Sequence, residues 1–174
     1  MIPPEEQRHV EAGSRPGEHP GGIGKVTVVA RCAGNADLVS TRACEVLRSV
    51  LEHAGPPWPS PDEWRALLPE WFVEACRPEE SKKEAEAWLL RWRALPPNQQ
   101  AEVARERSWT LTDWLYWLEP NERQWFWWDA VADNPDRLRV LAEISGWPAP
   151  LGALEWLLRA SGAVAVTTSE PTSI

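Results

Sequence analysis

Thirteen of the 174 residues are tryptophan, against two phenylalanines, one tyrosine and one methionine. Each indole removes about 150–250 Å² from water when buried. Most of these rings are therefore expected in the core, and any ligand-binding use has to be argued ring by ring. The length suits one ordinary domain. With 43% hydrophobic and 25% charged residues, a fibrous or mainly disordered chain is excluded. No apolar run approaches the roughly 18 residues of a membrane span. Acids outnumber bases 26 to 18, giving a net charge of −8, so bulk charge argues against a nucleic-acid partner.

Of the 18 basic residues only Lys25, Lys82 and Lys83 are lysine. With Ile, Phe and Tyr scarce and Ala, Arg and Pro plentiful, this is the bias of a GC-rich bacterial coding sequence. Cys32, Cys44 and Cys76 are odd in number and lack a CxxC spacing, which supports neither a disulfide framework nor a zinc site. The opening MIPPEEQRHVEAG has neither the basic nor the apolar region of a signal peptide. The expected location is cytoplasmic.

Residues 1–24 hold four prolines, five glycines and no apolar period, and are expected to form a flexible tail. Within them, PGGIGK at 20–25 fails as a phosphate loop: His19 stands where the first glycine belongs, and Val26 replaces the Ser or Thr. One globular domain is expected over 25–168, with a second flexible tail at 169–174. The β-branched run KVTVVAR at 25–31 predicts a strand. Val39, Ala43, Val46, Leu47 and Val50 recur at helical spacing and predict a helix over 36–54.

Ser60-Pro61-Asp62-Glu63 forms a capping box that opens the next helix, and Pro69 is expected to break it in two. The most amphipathic stretch is 79–95, with Ala85, Trp88, Leu89, Trp92 and Leu95 on one stripe. A short polar helical turn at 98–107 and a helix opened by Thr110 follow. From 123 the period shifts toward 2. Residues 123–132 and 137–145 predict an antiparallel hairpin around a four-residue loop at 133–136. A helix over 122–132 competes, because Trp125 and Trp128 also fit helical spacing. A last helix over 151–161 and an edge strand over 163–168 complete an α+β fold: five or six short helices around a small antiparallel sheet.

In that register Trp125, Trp127, Asp129 and Val131 share one face, so Asp129 is a lone carboxylate on a tryptophan-lined surface. It is either an internal acceptor for indole N–H groups or a binding acid. Phe126, Trp128, Arg139 and Glu143 fall on the other face, which is expected to be covered by helices; left open it is an exposed aromatic patch, with Phe126, Trp128 and Arg139 as candidate binding residues. Trp147, held between hairpin and helix by the prolines of Trp-Pro-Ala-Pro, either plugs the core or serves a junction-loop binding site.

Catalytic signals are sparse: no GxSxG, no HExxH and no metal-spaced histidines. His53 fits a helix-end role, and Glu119 and Glu122 fit solvated caps better than an acid/base pair. No cofactor or metal is called for. The expected function is a non-enzymatic binding module acting through protein–protein contact. An acidic inhibitor of a basic protein, of the immunity-protein kind, fits the charge. The alternative is a small-ligand binder or hydrolase with Asp129 in a Trp-lined pocket.

Overall fold

In the computed structural model, residues 3–169 are described. Strand β1, Gly24–Arg31, alternates buried Val26, Val28 and Ala30 with half-exposed residues. Helix α2, Ala36–Glu52, buries the expected stripe from Val39 to Leu51. Strands β2, Trp125–Asn134, and β3, Arg137–Ile144, form the hairpin. Its turn is the two residues Pro135 and Asp136, two fewer than the spacing predicts. Helix α8, Gly152–Ala160, then leads into the short strand β4, Ala165–Thr168. The sheet order is β2-β3-β1-β4, and every neighbouring pair is antiparallel.

Read along the chain, this is a β-α-β-β-α-β unit, the split βαβ arrangement. Helices α2 and α8 bury their apolar stripes on the inner sheet face, against Val26, Val28, Val140 and Ala142. The α+β class is as expected, but eight helices are present among the described residues rather than five or six. The additional ones are the N-terminal helix and members of a helical insertion between α2 and β2.

That insertion runs through α3 (Pro61–Leu67), α4 (Glu70–Ala75), α5 (Lys82–Arg93), α6 (Pro97–Glu106) and α7 (Leu111–Tyr116). Its start is the Ser60–Glu63 capping box, and Pro69 separates α3 from α4 as expected. Trp64, Phe72 and Trp114 anchor it in the core, and the Trp114 indole donates to the Ala153 carbonyl of α8 at 3.0 Å. Helix α5, the strongest stripe in the sequence, buries no residue. Trp88 instead stacks on Trp92, their centroids 6.1 Å apart, and lies 3.6 Å beneath the Arg107 guanidinium. An amphipathic pattern specifies a face to be covered; here the cover is α6 and an arginine, not the core.

The expected N-terminal tail contains helix α1, Pro3–Ala12. It packs along β2 and buries Glu6, His9 and Val10. Glu6 Oε1 accepts from Arg123 at 2.5 Å and from the Trp127 backbone N–H at 2.7 Å, so α1 supplies the partner that this strand N–H does not find in β3. Helix α1 ends at Gly13, whose φ of +70° and missing Cβ allow the Asp129 carboxylate to approach. At the other end of the expected tail, Gly22 passes so close to Ile144 that a Cβ would lie 2.2 Å from its carbonyl oxygen. The C-terminal tail expectation falls largely on residues outside the described ones; Ser169 still donates to the Thr27 carbonyl.

Candidate functional site

The hairpin register decides the fate of Asp129. Trp125 lies opposite Ile144 and Trp127 opposite Ala142, as the alternation predicts. A bulge at Trp128 then inserts one residue, so Asp129 pairs with Leu141 rather than Val140. One extra residue reverses the side-chain parity of everything beyond it. Asp129 therefore sits on the outer sheet face, half-buried, where it accepts from the Ser14 hydroxyl at 2.8 Å and the Ala130 N–H at 2.9 Å. Neither the internal indole acceptor nor the acid of a Trp-lined pocket is what the structure places there. The paired indole N–H groups go elsewhere: Trp71 to Glu45, Trp92 to the Gln100 carbonyl and Trp114 to Ala153.

The other expected site residues are not brought together. Trp128 is buried between His9, 4.5 Å away, and the Lys25 ammonium at 4.7 Å. Phe126 is half-buried beneath Arg123. Arg139 pairs with Asp133 at 2.8 Å on the surface. This end of the outer face is covered by the N-terminal segment, through His9, Ser14 and Gly22, and not by the central helices. Trp147 stands apart at the β3–α8 junction, 46% exposed, and does not plug the core.

The buried carboxylates are Glu6 and Glu143 instead. Burial raises the Glu6 pKa above the ordinary carboxylate value, outweighing Arg123 and the Trp127 N–H. Glu143 accepts from the Gly22 N–H at 2.9 Å. Both are tied into the fold and neither lines a cavity described here. Burial also pushes the Cys44 and Cys76 thiols up to about 11, which keeps them protonated. His53 takes the helix-end place expected of it, with Nδ1 2.9 Å from the Ser49 carbonyl.

Much of the concave surface lies on the insertion. Three shallow cavities adjoin there. The first, about 540 Å³, lies between His53, Trp58 and Leu67. The second, about 150 Å³, shares Trp58 and Pro59 with it and reaches Tyr116 and Glu119. The third, about 320 Å³, shares Tyr116 with the second and continues past Trp109 and Trp117 to Arg77 and Arg107. Successive cavities share lining residues and each is lined by aromatic rings, and this row is termed the trough.

Glu63 lines the first cavity and Glu119 the second; Asp113 lines the third, where it pairs with Arg77 at 3.4 Å. Glu122 accepts from the Tyr116 hydroxyl and, with its charge, raises the tyrosine pKa. The two arginines are already engaged by Glu80: Arg77 at 2.6 Å, and Arg107 at 2.5 Å and 2.6 Å to its two oxygens. Arg107, and then Arg77, hold Glu80 below the ordinary carboxylate value.

The distribution of tryptophan matches this geometry. Trp64, Trp114, Trp125, Trp127, Trp128 and Trp156 are buried. Trp58, Trp71, Trp88, Trp92, Trp109 and Trp117 are half-buried, and all six belong to the inserted segment. Six of the thirteen rings are buried, and Trp58, Trp71, Trp109 and Trp117 pack against the core from its margin. Sequence reasoning missed Trp58, Trp109, Tyr116 and Trp117. The proline-flanked Trp58 of Pro-Pro-Trp-Pro carried the signal that was read at Trp147.

Among the described residues no helix is long and apolar enough to cross a membrane, and no three His, Cys, Asp or Glu side chains cluster to hold a metal ion. Comparison with protein-family models, with curated proteins and with solved structures finds no match to this chain.

Proposed function

We propose that this chain is a non-enzymatic binding module that recognises another protein through the aromatic trough of its α3–α7 insertion. The observation that carries this reading is the segregation of the half-buried indoles. All six lie in one segment, and three of them, Trp58, Trp109 and Trp117, line adjoining cavities. Half-buried Trp and Tyr on a shallow concave surface are the side chains that dominate interface energetics, because they offer large contact area at low entropic cost. The rim carries Glu63 and Glu119, with Glu122 bonded to Tyr116 beside it, while Arg77 and Arg107 are paired with Glu80 and Asp113. A basic partner is the complement of that rim, and the net charge of −8 favours its approach.

The test places a photocrosslinking amino acid at position 116, in the middle of the trough, and at position 147 as an off-site control. The expected result is an adduct with a basic protein from position 116 that is lost on Trp58→Ala or Glu119→Lys. The purified partner is then expected to bind about tenfold or more weaker to Trp58→Ala, as for a hot-spot aromatic, at a temperature where the variant, which loses a contact with Trp64, is still fully folded. Equal adducts from both positions, or affinity indifferent to Trp58→Ala, defeats the reading.

A further inference from the structure

The outer sheet face carries an arrangement that the fold does not require. Arg31 on β1 lies directly opposite Arg137 on β3, and both side chains are exposed on that face. Like charges directly opposite in an antiparallel ladder repel, so such a pair ordinarily has a carboxylate between its members. Here it does not. Arg137 reaches Asp133 at 3.5 Å, but that carboxylate is shared with Arg139 at 2.8 Å. Asp136, the other nearby acid, accepts from the Gly34 backbone N–H at 2.8 Å. Among the described residues no acidic group forms an ion pair with Arg31.

The pair borders a cavity of about 600 Å³, the roomiest of those described here and of the size that takes small molecules. Val29, Ala165 and Pro135 give it apolar walls, and its polar lining is Arg31, Arg137, Asn134, Thr167 and Asp136, a single carboxylate against two guanidinia. Its frame is fixed by backbone bonds. Cys32 and Ala36 donate to the Asp136 and Pro135 carbonyls at 2.7 Å and 3.0 Å, and Val164 donates to the Arg31 carbonyl at 2.8 Å. The turn, the β1–α2 connection and the start of β4 are therefore held together around the opening.

We propose that this cavity binds a small organic oxyanion, a carboxylate or phosphate ester, whose charged group lies between the Arg31 and Arg137 guanidinia and whose apolar body rests on Val29 and Ala165. Guanidinium forks are matched to both oxyanions, and the apolar walls favour an organic ester or acid over the bare inorganic ion. The site is separate from the trough on the insertion and does not rest on the protein-binding reading.

The probes are benzoate, phenyl phosphate and inorganic phosphate, added to the full chain at matched ionic strength. Binding is followed by amide chemical shifts and by melting temperature. Benzoate, phenyl phosphate or both are expected to shift the amides of Val29 and Ala165 and to raise the melting temperature, with inorganic phosphate weaker. The preferred organic probe identifies the oxyanion. Arg31→Ser and Arg137→Ser are each expected to weaken that binding about tenfold or more, as for loss of a charge-assisted fork. Without probe, Arg31→Ser is expected to melt no lower than the wild type, because it relieves the repulsion. No response to any probe, binding by either variant as tight as by the wild type, or an Arg31→Ser protein that melts well below the wild type overturns the proposal.

Discussion

Removing the Glu6 carboxylate tests whether α1 is a structural element, because one side chain holds this helix to β2 by two buried bonds. The Glu6 and Arg123 side chains are only 2% and 5% exposed, so Glu6→Ala leaves a guanidinium without its counter-charge and the Trp127 N–H without an acceptor. Breaking a buried pair from one side costs about 3–5 kcal/mol, much of it the penalty on the partner left behind. For a chain of this size that lowers the melting temperature by roughly 6–20 °C. Glu6→Gln keeps an acceptor oxygen for Trp127 and for Arg123, so it is expected to cost less, about 1–2 kcal/mol.

The double variant Glu6→Leu, Arg123→Met removes both charges together and is expected to be more stable than Glu6→Ala. The assay is urea unfolding followed by indole fluorescence, comparing midpoints at constant slope. Hydrogen exchange at the Trp127 amide adds a local readout and is expected to accelerate in Glu6→Ala. A Glu6→Ala cost below about 1 kcal/mol, with Trp127 protection unchanged, refutes the argument that α1 belongs to the core.

Trp64→Ala empties a fully buried site and is expected to cost about 3–5 kcal/mol in urea unfolding, whereas Trp88→Ala, on a helix that buries nothing, is expected to cost less than about 1.5. Asp129→Ala loses one hydroxyl bond and one backbone bond at a half-buried position and is expected to cost about 1 kcal/mol, with no gain in stability. Acid titration of stability separates two classes of carboxylate by sign. Glu80 and Asp133, held low first by bonds from Arg107 and Arg139, stabilise the fold above their ordinary values and lose that contribution as pH falls through the lowered ones. Glu6 runs oppositely: its contribution is full below its ordinary value of 4.5 and is lost as pH rises through the raised one. Glu6→Gln is therefore expected to flatten the alkaline side of that range and leave the acid limb unchanged.

Some of the architecture was legible because single residues force it. Pro69 removes a helical donor and splits α3 from α4; Ser60 and Glu63 satisfy each other's backbone N–H groups; alternation in Val26–Ala30 and Leu138–Ile144 follows one buried sheet face. Helix α1 escaped because its contacts are largely polar. Glu6 and His9 are buried through Arg123, the Trp127 N–H and the Trp128 ring, and a search for apolar periodicity does not register such a face. The bulge at Trp128 escaped for another reason: the sequence around it alternates as well with the extra residue as without it, while Asp129 changes face. The candidate site was therefore sought on the hairpin, where an error of one position decides everything.

The place of the insertion explains why the surplus aromatics gather where they do. In a split βαβ unit the inner sheet face is closed by the two helices of the repeat, here α2 and α8. A segment added in the crossover between α2 and β2 must anchor itself at the margin of a core already largely covered. Trp64, Phe72 and Trp114 do that anchoring: Trp64 packs against Trp58 at 4.8 Å, and Phe72 against Trp114 at 4.6 Å. Trp58, Trp71, Trp109 and Trp117 pack against that core from its margin, whereas Trp88 and Trp92 pack on one another and on Arg107. Each keeps one side in water. Trp88 and Trp92, on a helix that buries no residue, contribute least to the core. On the reading proposed above, contact with a partner is what half-buried indoles gathered in one segment would serve.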